Sequence, residues 1–282
     1  MGRTLETVLD GLAFPEGPRW RDGRLWFSDM HANEVIAMTP EGKRETVFSH
    51  SGPVSGLGWL PDGRMLVVSM VDHKLLRIEP DGRAVVHGDL SGIATGRCND
   101  MVVDAAGRAY VGNFGYDYPN ADVKPAKLAR VDPNGTVSVA ADELVFPNGS
   151  MITPGGETLI VGETFAGRMT AYDIAADGSL SNRRVWAALP ERAVPDGACL
   201  DAEGAVWVAS PTTNDVIRLK EGGEVLERIT ADQGCFACML GGEDRKTLYV
   251  LTASGSDPAD CVARRLGRIE AVRVEVAGAG LP

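Results

Sequence analysis

The chain has 282 residues, 44% of them hydrophobic, which is enough apolar material for a large core and excludes an intrinsically disordered protein. Its net charge of −11 argues against nucleic acid and anionic membranes, so we expect neither as a partner. The first ten residues lack the basic and apolar regions of a signal peptide, and the five scattered cysteines favour reduced thiols, so we expect a cytoplasmic protein.

One pattern of turns and short strands recurs six times along the chain. Glycine-containing or acidic turns return at intervals of 40 to 49 residues, and a polar loop and an alternating strand follow each apolar strand. The apolar strands that follow these turns are predicted at residues 25–27, 65–68, 109–111, 158–161, 205–208 and 247–250. Four short strands joined by hairpin turns at this period are typical of a β-propeller blade.

Six such units account for the whole length. The sequence therefore predicts an all-β protein, a six-bladed β-propeller in a single domain spanning residues 1–282. The strand predicted at residues 4–9 has no blade of its own, and the sixth repeat lacks a fourth strand. We therefore expect the N-terminal strand to complete the last blade and close the ring, because closure removes the exposed strand edges at which chains associate.

The entry to the innermost strand of each repeat carries most of the functional information. Aligning the repeats there gives six equivalent positions, namely Glu16, Ser55, Asn99, Asn148, Asp196 and Phe236. Equivalent positions lie at one height around a propeller axis, so the two carboxylates and two amides of this set are expected to converge near one mouth of the channel. Oxygen donors suit a hard cation such as Ca²⁺, Mg²⁺ or Mn²⁺, with Zn²⁺ or Fe²⁺ as alternatives. The competing interpretation is that each Asn-Gly or Asp-Gly pair only forms a turn.

The loops between the second and third strands of each blade should surround the same mouth. The third of these loops is long and aromatic, with Phe114, Tyr116 and Tyr118, and is predicted to form a lid or a wall for a substrate. His31 and His73 lie on this face as well, although an isolated loop histidine is commonly just exposed.

Arg97 stands two residues before Asn99 and could hold an anionic or carbonyl oxygen with its fixed fork of donors. The alternative is a structural ion pair with Asp100 or Glu143.

Cys235 and Cys238 form a C-x-x-C sequence, which by itself resembles a metal or redox motif. A zinc site needs a second pair of ligands, and a redox site needs a thioredoxin-like helix. Neither is present in the sequence, so we expect two buried thiols.

Four segments are specific when they occur together: Pro15-Glu16-Gly17-Pro18-Arg19-Trp20, Arg97-Cys98-Asn99-Asp100, Pro147-Asn148-Gly149 and Pro195-Asp196-Gly197. With these segments the chain resembles the SMP-30/gluconolactonase/LRE-like family, which includes regucalcin and bacterial lactonases. The resemblance covers the whole length and implies a six-bladed propeller with one divalent cation in its channel.

The resemblance also implies roles for individual residues. Glu16, Asn148 and Asp196 would bind the cation, with Ca²⁺ favoured over Zn²⁺, Mn²⁺, Mg²⁺ or Fe²⁺. Asn99 would be a fourth ligand or a substrate contact, and Arg97 a substrate contact. The implied activity is hydrolysis of a small-molecule lactone, in which the cation polarises the carbonyl group and Asp196 acts as general base.

Two other functions fit the same pattern. One is phosphotriester hydrolysis, because related propellers use a similar oxygen-ligated cation. The other is a non-catalytic, calcium-binding propeller, although a scaffold has no need for four oxygen donors that converge in the channel.

Overall fold

Residues 3–282 are described by a computed structural model, in which antiparallel sheets follow one another along the chain. The first strand, β1 (Glu6–Leu12), precedes the first complete sheet. Blade 1 comprises β2 (Pro15–Arg21), β3 (Arg24–Asp29), β4 (Glu34–Met38) and β5 (Arg44–Ser49). Blade 2 comprises β6 (Val54–Trp59), β7 (Met65–Ser69), β8 (Lys74–Ile78) and β9 (Ala84–Asp89). Blade 3 comprises β10 (Cys98–Val103), β11 (Ala109–Asn113), β12 (Ala126–Val131) and β13 (Val137–Leu144).

The second half of the chain repeats this arrangement. Blade 4 comprises β14 (Pro147–Ile152), β15 (Thr158–Glu163), β16 (Arg168–Ile174) and β17 (Leu180–Ala188). Blade 5 comprises β18 (Ala198–Asp201), β19 (Val206–Ser210), β20 (Asp215–Leu219) and β21 (Val225–Thr230). Blade 6 takes from this part of the chain β22 (Gly234–Gly241), β23 (Thr247–Ala253) and β24 (Gly267–Arg273).

The N-terminal strand completes the sixth blade. Strand β1 pairs antiparallel with β24, with Glu6 opposite Ala271, and the sheet order is β22-β23-β24-β1. The innermost strands of neighbouring blades contact one another around the ring. These observations confirm the predicted all-β, six-bladed propeller that is closed by its N-terminal strand.

Aromatic side chains of the second strands fill the space between blades. Tyr110, Trp207 and Tyr249 are each no more than 2% exposed. Trp26 is half-buried and meets Trp59 of the next blade edge to face, with ring centroids 5.5 Å apart. Burial of large apolar surfaces is the main force that holds such sheets together.

A short helix interrupts the loop between β23 and β24, which the sequence analysis treats as irregular. This helix, α1 (Pro258–Arg264), begins at Asp257, whose side chain accepts a hydrogen bond from the backbone N–H of Asp260. Proline at the first helical position and aspartate as the cap are both favourable at a helix start. No helix formed by residues 3–282 has the length and apolar character needed to cross a membrane.

The last residues pair with the inside of the ring, which the sequence pattern does not reveal. Strand β25 (Gly278–Ala279) adds to β18, with Gly278 opposite Asp201. Leu281 then bridges to Ile152 at the end of β14. The C-terminal segment therefore covers the C-terminal ends of β14 and β18. The predicted oxygen donors of these two blades lie at the opposite, N-terminal ends of the strands.

Candidate functional site

The four predicted oxygen donors occupy matching places on the inner strands. Glu16, Asn99 and Asn148 are each the second residue of their strand, and Asp196 lies two residues before β18. All four line one cavity of about 480 Å³, a volume typical of small-molecule sites. We call these four residues the oxygen cluster.

Backbone irregularities at the strand entries direct these side chains. The pairing of β2 with β3 shifts register just after Glu16, and that of β14 with β15 shifts just after Pro147. Such a bulge turns a side chain away from the regular alternation of the strand. Glycine follows Asn148 because the backbone of the next blade lies against it: a β-carbon at Gly149 would be 2.4 Å from the carbonyl oxygen of Asp196.

Neighbouring side chains fix the two amides. The Thr164 hydroxyl accepts a hydrogen bond from Asn148 Nδ2 (3.2 Å) and donates to the carbonyl oxygen of Pro195 (2.9 Å). The Ser55 hydroxyl, which occupies the equivalent position of blade 2, donates to Asn99 Oδ1 over 3.4 Å. With Nδ2 engaged by Thr164, the remaining polar atom of the Asn148 side chain is its carbonyl oxygen, which can only accept hydrogen bonds or bind a cation.

The two carboxylates of the oxygen cluster are buried and repel each other. Burial raises the pKa of Glu16 well above its usual value, and the charges of Asp196 and Asp100 raise it further. Burial, followed by the charge of Asp100, raises the pKa of Asp196 to about 8, although the Asn148 amide opposes the shift. Each side chain is less than a tenth exposed. Full ionisation of both therefore needs a compensating positive charge.

The donor set fits a hard divalent cation. It consists of two carboxylates and two amides, and it contains no thiol or imidazole. Within residues 3–282, no group of three or more His, Cys, Asp or Glu side chains could hold a metal ion, so any cation here would depend on the amide oxygens. Carbonyl and carboxylate oxygens are the ligands that Ca²⁺ prefers.

A buried ion pair adjoins the oxygen cluster and escaped the sequence analysis. Arg19 is 4% exposed, and its Nη2 lies 2.7 Å from Asp100 Oδ1. Its other nitrogens donate to the carbonyl oxygens of Leu57 (2.9 Å) and Pro18 (2.7 Å). Arg19 lies in the first of the four segments that carry the family resemblance, but only the ring brings it to Asp100, which is two blades away.

Arg97 lines the cavity with an exposed side chain. Its backbone oxygen accepts a hydrogen bond from Phe114 N, but within residues 3–282 its guanidinium has neither an ion pair nor a hydrogen bond. The alternative of a structural pair with Asp100 is wrong, because Asp100 is paired with Arg19. Arg97 is therefore free to contact a ligand.

Of the two loop histidines, only His31 lines the cavity. His31 lines the cavity and lies 4.9 Å from the Phe14 ring, and its Nε2 is buried without a hydrogen-bond partner among residues 3–282. Burial, with the charge of Arg97, lowers the pKa of His31, so the ring is neutral near pH 7. His73 does not line the cavity.

The long loop after β11 forms part of the cavity wall, in agreement with the prediction. Phe114 and Tyr118 line the cavity, whereas Tyr116 is only 5% exposed and packs behind them against Phe146.

Cys235 and Cys238 are buried free thiols, as the sequence predicts. Burial raises the pKa of both thiols, which keeps them protonated and unreactive.

The buried carboxylates predict an unusual pH dependence for the protein in the presence of chelator. The pKa of Asp196 is about 8 in the folded state against 3.8 for an ordinary aspartate, so folding favours the protonated form. Its contribution to stability is complete below pH 4 and is lost as the pH rises towards 8. We expect the free energy of unfolding, measured in urea with EDTA, to fall by at least about 2 kcal/mol between pH 5 and pH 8, since each pKa unit corresponds to about 1.4 kcal/mol.

Asp196→Asn is the matched control, because its side chain cannot ionise: the part of the slope that comes from Asp196 should disappear, and the part that comes from Glu16 should remain. A flat profile for the chelated wild-type protein would contradict the raised pKa values of Glu16 and Asp196.

Comparison with known proteins gives consistent matches. Residues 14–254 match the family described as SMP-30/Gluconolactonase/LRE-like region. The chain is 28% identical over 260 residues to pentonolactonase XacC of Haloferax volcanii, covering 89% of this chain and 86% of that protein. It is 25% identical over 290 residues to 6-deoxy-6-sulfogluconolactonase of Pseudomonas putida, covering 100% and 99%. The crystal structure of the calcium-binding protein regucalcin from Agrobacterium tumefaciens has the same fold, with a TM-score of 0.82 at 22% identity, covering 100% of this chain and 96% of that one.

Proposed function

Because the chain belongs to the SMP-30/gluconolactonase/LRE-like family, we propose that it is a divalent-cation-dependent lactonase. Two relatives that match most of its length are named as lactonases, one for a pentonolactone and one for a sulfogluconolactone. The observation that carries the proposal is the convergence of the oxygen cluster in one cavity that Arg97 also lines. The substrate class is a small-molecule cyclic ester.

The proposed cation ligands are Glu16, Asn148 and Asp196, with Asn99 as a fourth ligand or a substrate contact. Support comes from the all-oxygen donor set and from the raised pKa values of the two carboxyl groups. A bound cation would lower both pKa values, because its charge favours the ionised carboxylates. We favour Ca²⁺ because amide and carboxylate oxygens are its usual ligands. When bound there, the cation supplies Lewis-acid polarisation of the lactone carbonyl and stabilises the negative charge that develops on its oxygen.

Asp196 is the proposed general base. Its carboxylate accepts a proton from the water that attacks the lactone carbonyl carbon, so that a new C–O bond forms as the carbonyl π bond opens. When the tetrahedral intermediate collapses, the ring C–O bond breaks and Asp196 returns the proton to the departing ring oxygen. The product is the open hydroxy acid.

Other side chains orient the substrate in this scheme. Arg97 donates hydrogen bonds to an oxygen of the lactone, since its guanidinium has no protein partner among residues 3–282. Thr164 holds the Asn148 amide so that its carbonyl oxygen is available to the cation. Fixed orientation of this kind accounts for much of the rate enhancement of enzymes.

A lactone panel assayed with and without chelator tests the proposal. We expect ring opening that EDTA abolishes and Ca²⁺ or another divalent cation restores. Full activity in the chelated protein would contradict cation dependence. Hydrolysis of phosphotriesters without any lactone turnover would instead assign the site to the phosphotriesterase class.

Glu16→Gln should weaken Ca²⁺ binding by at least about tenfold, measured by calorimetry, because a neutral amide replaces one of two charged ligands. The far-ultraviolet circular dichroism should stay unchanged. Glu270→Gln is the matched control, since Glu270 is also buried but lies on β24 outside the cavity. Equal Ca²⁺ affinity in the two variants would remove Glu16 from the ligand set.

A further inference from the structure

Five of the seven phenylalanines of the chain line the cavity that contains the oxygen cluster. We call this set the aromatic collar, and it consists of Phe14, Phe114, Phe146, Phe165 and Phe236. Its members come from four different blades, so neither a single loop nor a local run of sequence accounts for it. The assembled cavity therefore concentrates aromatic side chains that are scattered along the sequence.

The collar is a connected surface. Phe236 of blade 6 meets Phe14 of blade 1 edge to face, with ring centroids 4.7 Å apart. Phe114 of blade 3 stacks on Phe146 of blade 4 at 4.2 Å, and Phe146 meets Phe165 at 4.9 Å. Met30 and Met70 join the two groups, because both pack in the same apolar cluster as Phe14 and Phe114. A ligand in the cavity would meet apolar surface on most sides.

Two residues of the aromatic collar lower the stability of the protein when no ligand is bound. Phe146 has a φ of 56°, in the left-handed region that bulky residues rarely adopt, and it precedes Pro147. Phe165 lies at the rim and is 43% exposed. Backbone strain and an exposed aromatic ring both lower the stability of an empty protein, and both are typical of surfaces that bind a ligand.

A polyhydroxylated lactone fits this wall poorly. Each hydroxyl group that leaves water needs a hydrogen-bond partner, and phenyl and thioether groups provide none. At roughly 30 Å³ per heavy atom, an unsubstituted ring of six or seven heavy atoms would fill less than half of the cavity, whose volume is about 480 Å³. The aromatic collar lines this same cavity.

Resting on the proposed lactonase function, we infer that the substrate is a lactone with an apolar alkyl or aryl substituent. The substituent binds against the aromatic collar, and the ring carbonyl lies at the oxygen cluster. Phe114 and Phe165 each contact Phe146 on the side of blades 3 and 4, so these three rings form one continuous part of the binding surface.

The first test measures kcat/KM for γ-lactones whose unbranched alkyl substituent grows from none to five carbons, beside D-glucono-1,5-lactone. Burial of each added methylene group should raise kcat/KM about threefold to fourfold until the collar is filled. Phe165→Ala should lower kcat/KM for every lactone with a long alkyl chain. The loss for the five-carbon substituent should be at least five times the loss for the unsubstituted γ-lactone. Phe48→Ala is the matched control, because Phe48 lies on β5 outside the cavity and should leave the chain-length dependence intact.

A second test does not depend on turnover. The corresponding γ-lactams, which resist hydrolysis, are titrated into the protein by calorimetry, and their affinity should rise with alkyl length in the wild type and less steeply in Phe165→Ala. Length-dependent lactam binding without any lactone turnover would support the collar and contradict the proposed function. Lactone turnover with kcat/KM independent of alkyl length, or highest for gluconolactone, would overturn the collar inference and leave the lactonase function standing. No lactone turnover, together with a lactam affinity that does not depend on alkyl length, would contradict both proposals.

Discussion

Replacing Asp196 with asparagine is expected to lower kcat for lactone hydrolysis by about 1,000-fold, within the range of rate losses seen when a general base is removed. The amide keeps an oxygen that can bind a cation but cannot accept a proton from water. Calcium affinity should therefore fall much less than kcat. Steady-state kinetics at saturating Ca²⁺, together with calorimetric Ca²⁺ titration, separates the two effects.

Asp201→Asn is the matched control for this variant. Asp201 is also buried and lies at the other end of β18, where its carboxylate pairs with Arg218. The Asp201→Asn replacement should lower the free energy of unfolding. It should leave kcat per folded molecule within about twofold of the wild-type value, because Asp201 does not line the cavity in which the reaction takes place. If Asp196→Asn lost turnover and Ca²⁺ binding to the same extent, Asp196 would be a ligand only and the role of general base would be wrong.

Arg19→Met is expected to lower the free energy of unfolding by about 3–5 kcal/mol, the usual effect of removing one partner from a buried ion pair. The side chain is 4% exposed. Its loss leaves the Asp100 carboxylate without its ion-pair partner and the carbonyl oxygens of Leu57 and Pro18 without the Arg19 donor. Because the charge of Asp100 already raises the pKa of Glu16 and Asp196, an unpaired Asp100 adds to the repulsion in the cavity. Urea unfolding at pH 7 measures the loss.

The double variant Arg19→Met/Asp100→Asn should recover part of this stability, because it removes the uncompensated charge. Arg273→Met provides the matched surface comparison, since Arg273 is 59% exposed and pairs with Asp244. An exposed pair contributes at most about 1 kcal/mol. If Arg19→Met were no more destabilising than Arg273→Met, the ion pair would not support the site as described.

Local sequence signals were sufficient to predict the propeller. Turn residues and the two-residue alternation of strands act over short distances, so the apolar strands predicted at residues 25–27, 65–68 and 109–111 lie within β3, β7 and β11. The position of the oxygen cluster was predictable as well, because repeats place equivalent residues at one height around the axis. Helix α1 and strand β25 were not predicted, since seven and two residues are too few for a periodic pattern.

Contacts between blades had no sequence signal. Arg19 and Asp100 are 81 residues apart, and nothing in either segment identifies the other as its partner. The same holds for part of the aromatic collar. Phe236 occupies the equivalent position of blade 6 and Phe114 lies in the loop predicted as a wall, but Phe146 and Phe165 look like isolated apolar residues. Only the closed ring brings all of them to one cavity, so the position of the oxygen cluster and one aromatic wall could be predicted from sequence but the full collar could not.

Closure of the ring by β1 and β24 has a consequence for biosynthesis. Residues 6–12 leave the ribosome early, yet their partner strand at residues 267–273 follows only after five blades have been made. Until then β1 and the outer edge of blade 6 cannot pair, so the nascent chain exposes unpaired strand edges. Pairing between residues so distant in sequence is entropically slow, and final closure should limit the rate of folding. Chaperone binding during translation would protect this intermediate from association with other nascent chains.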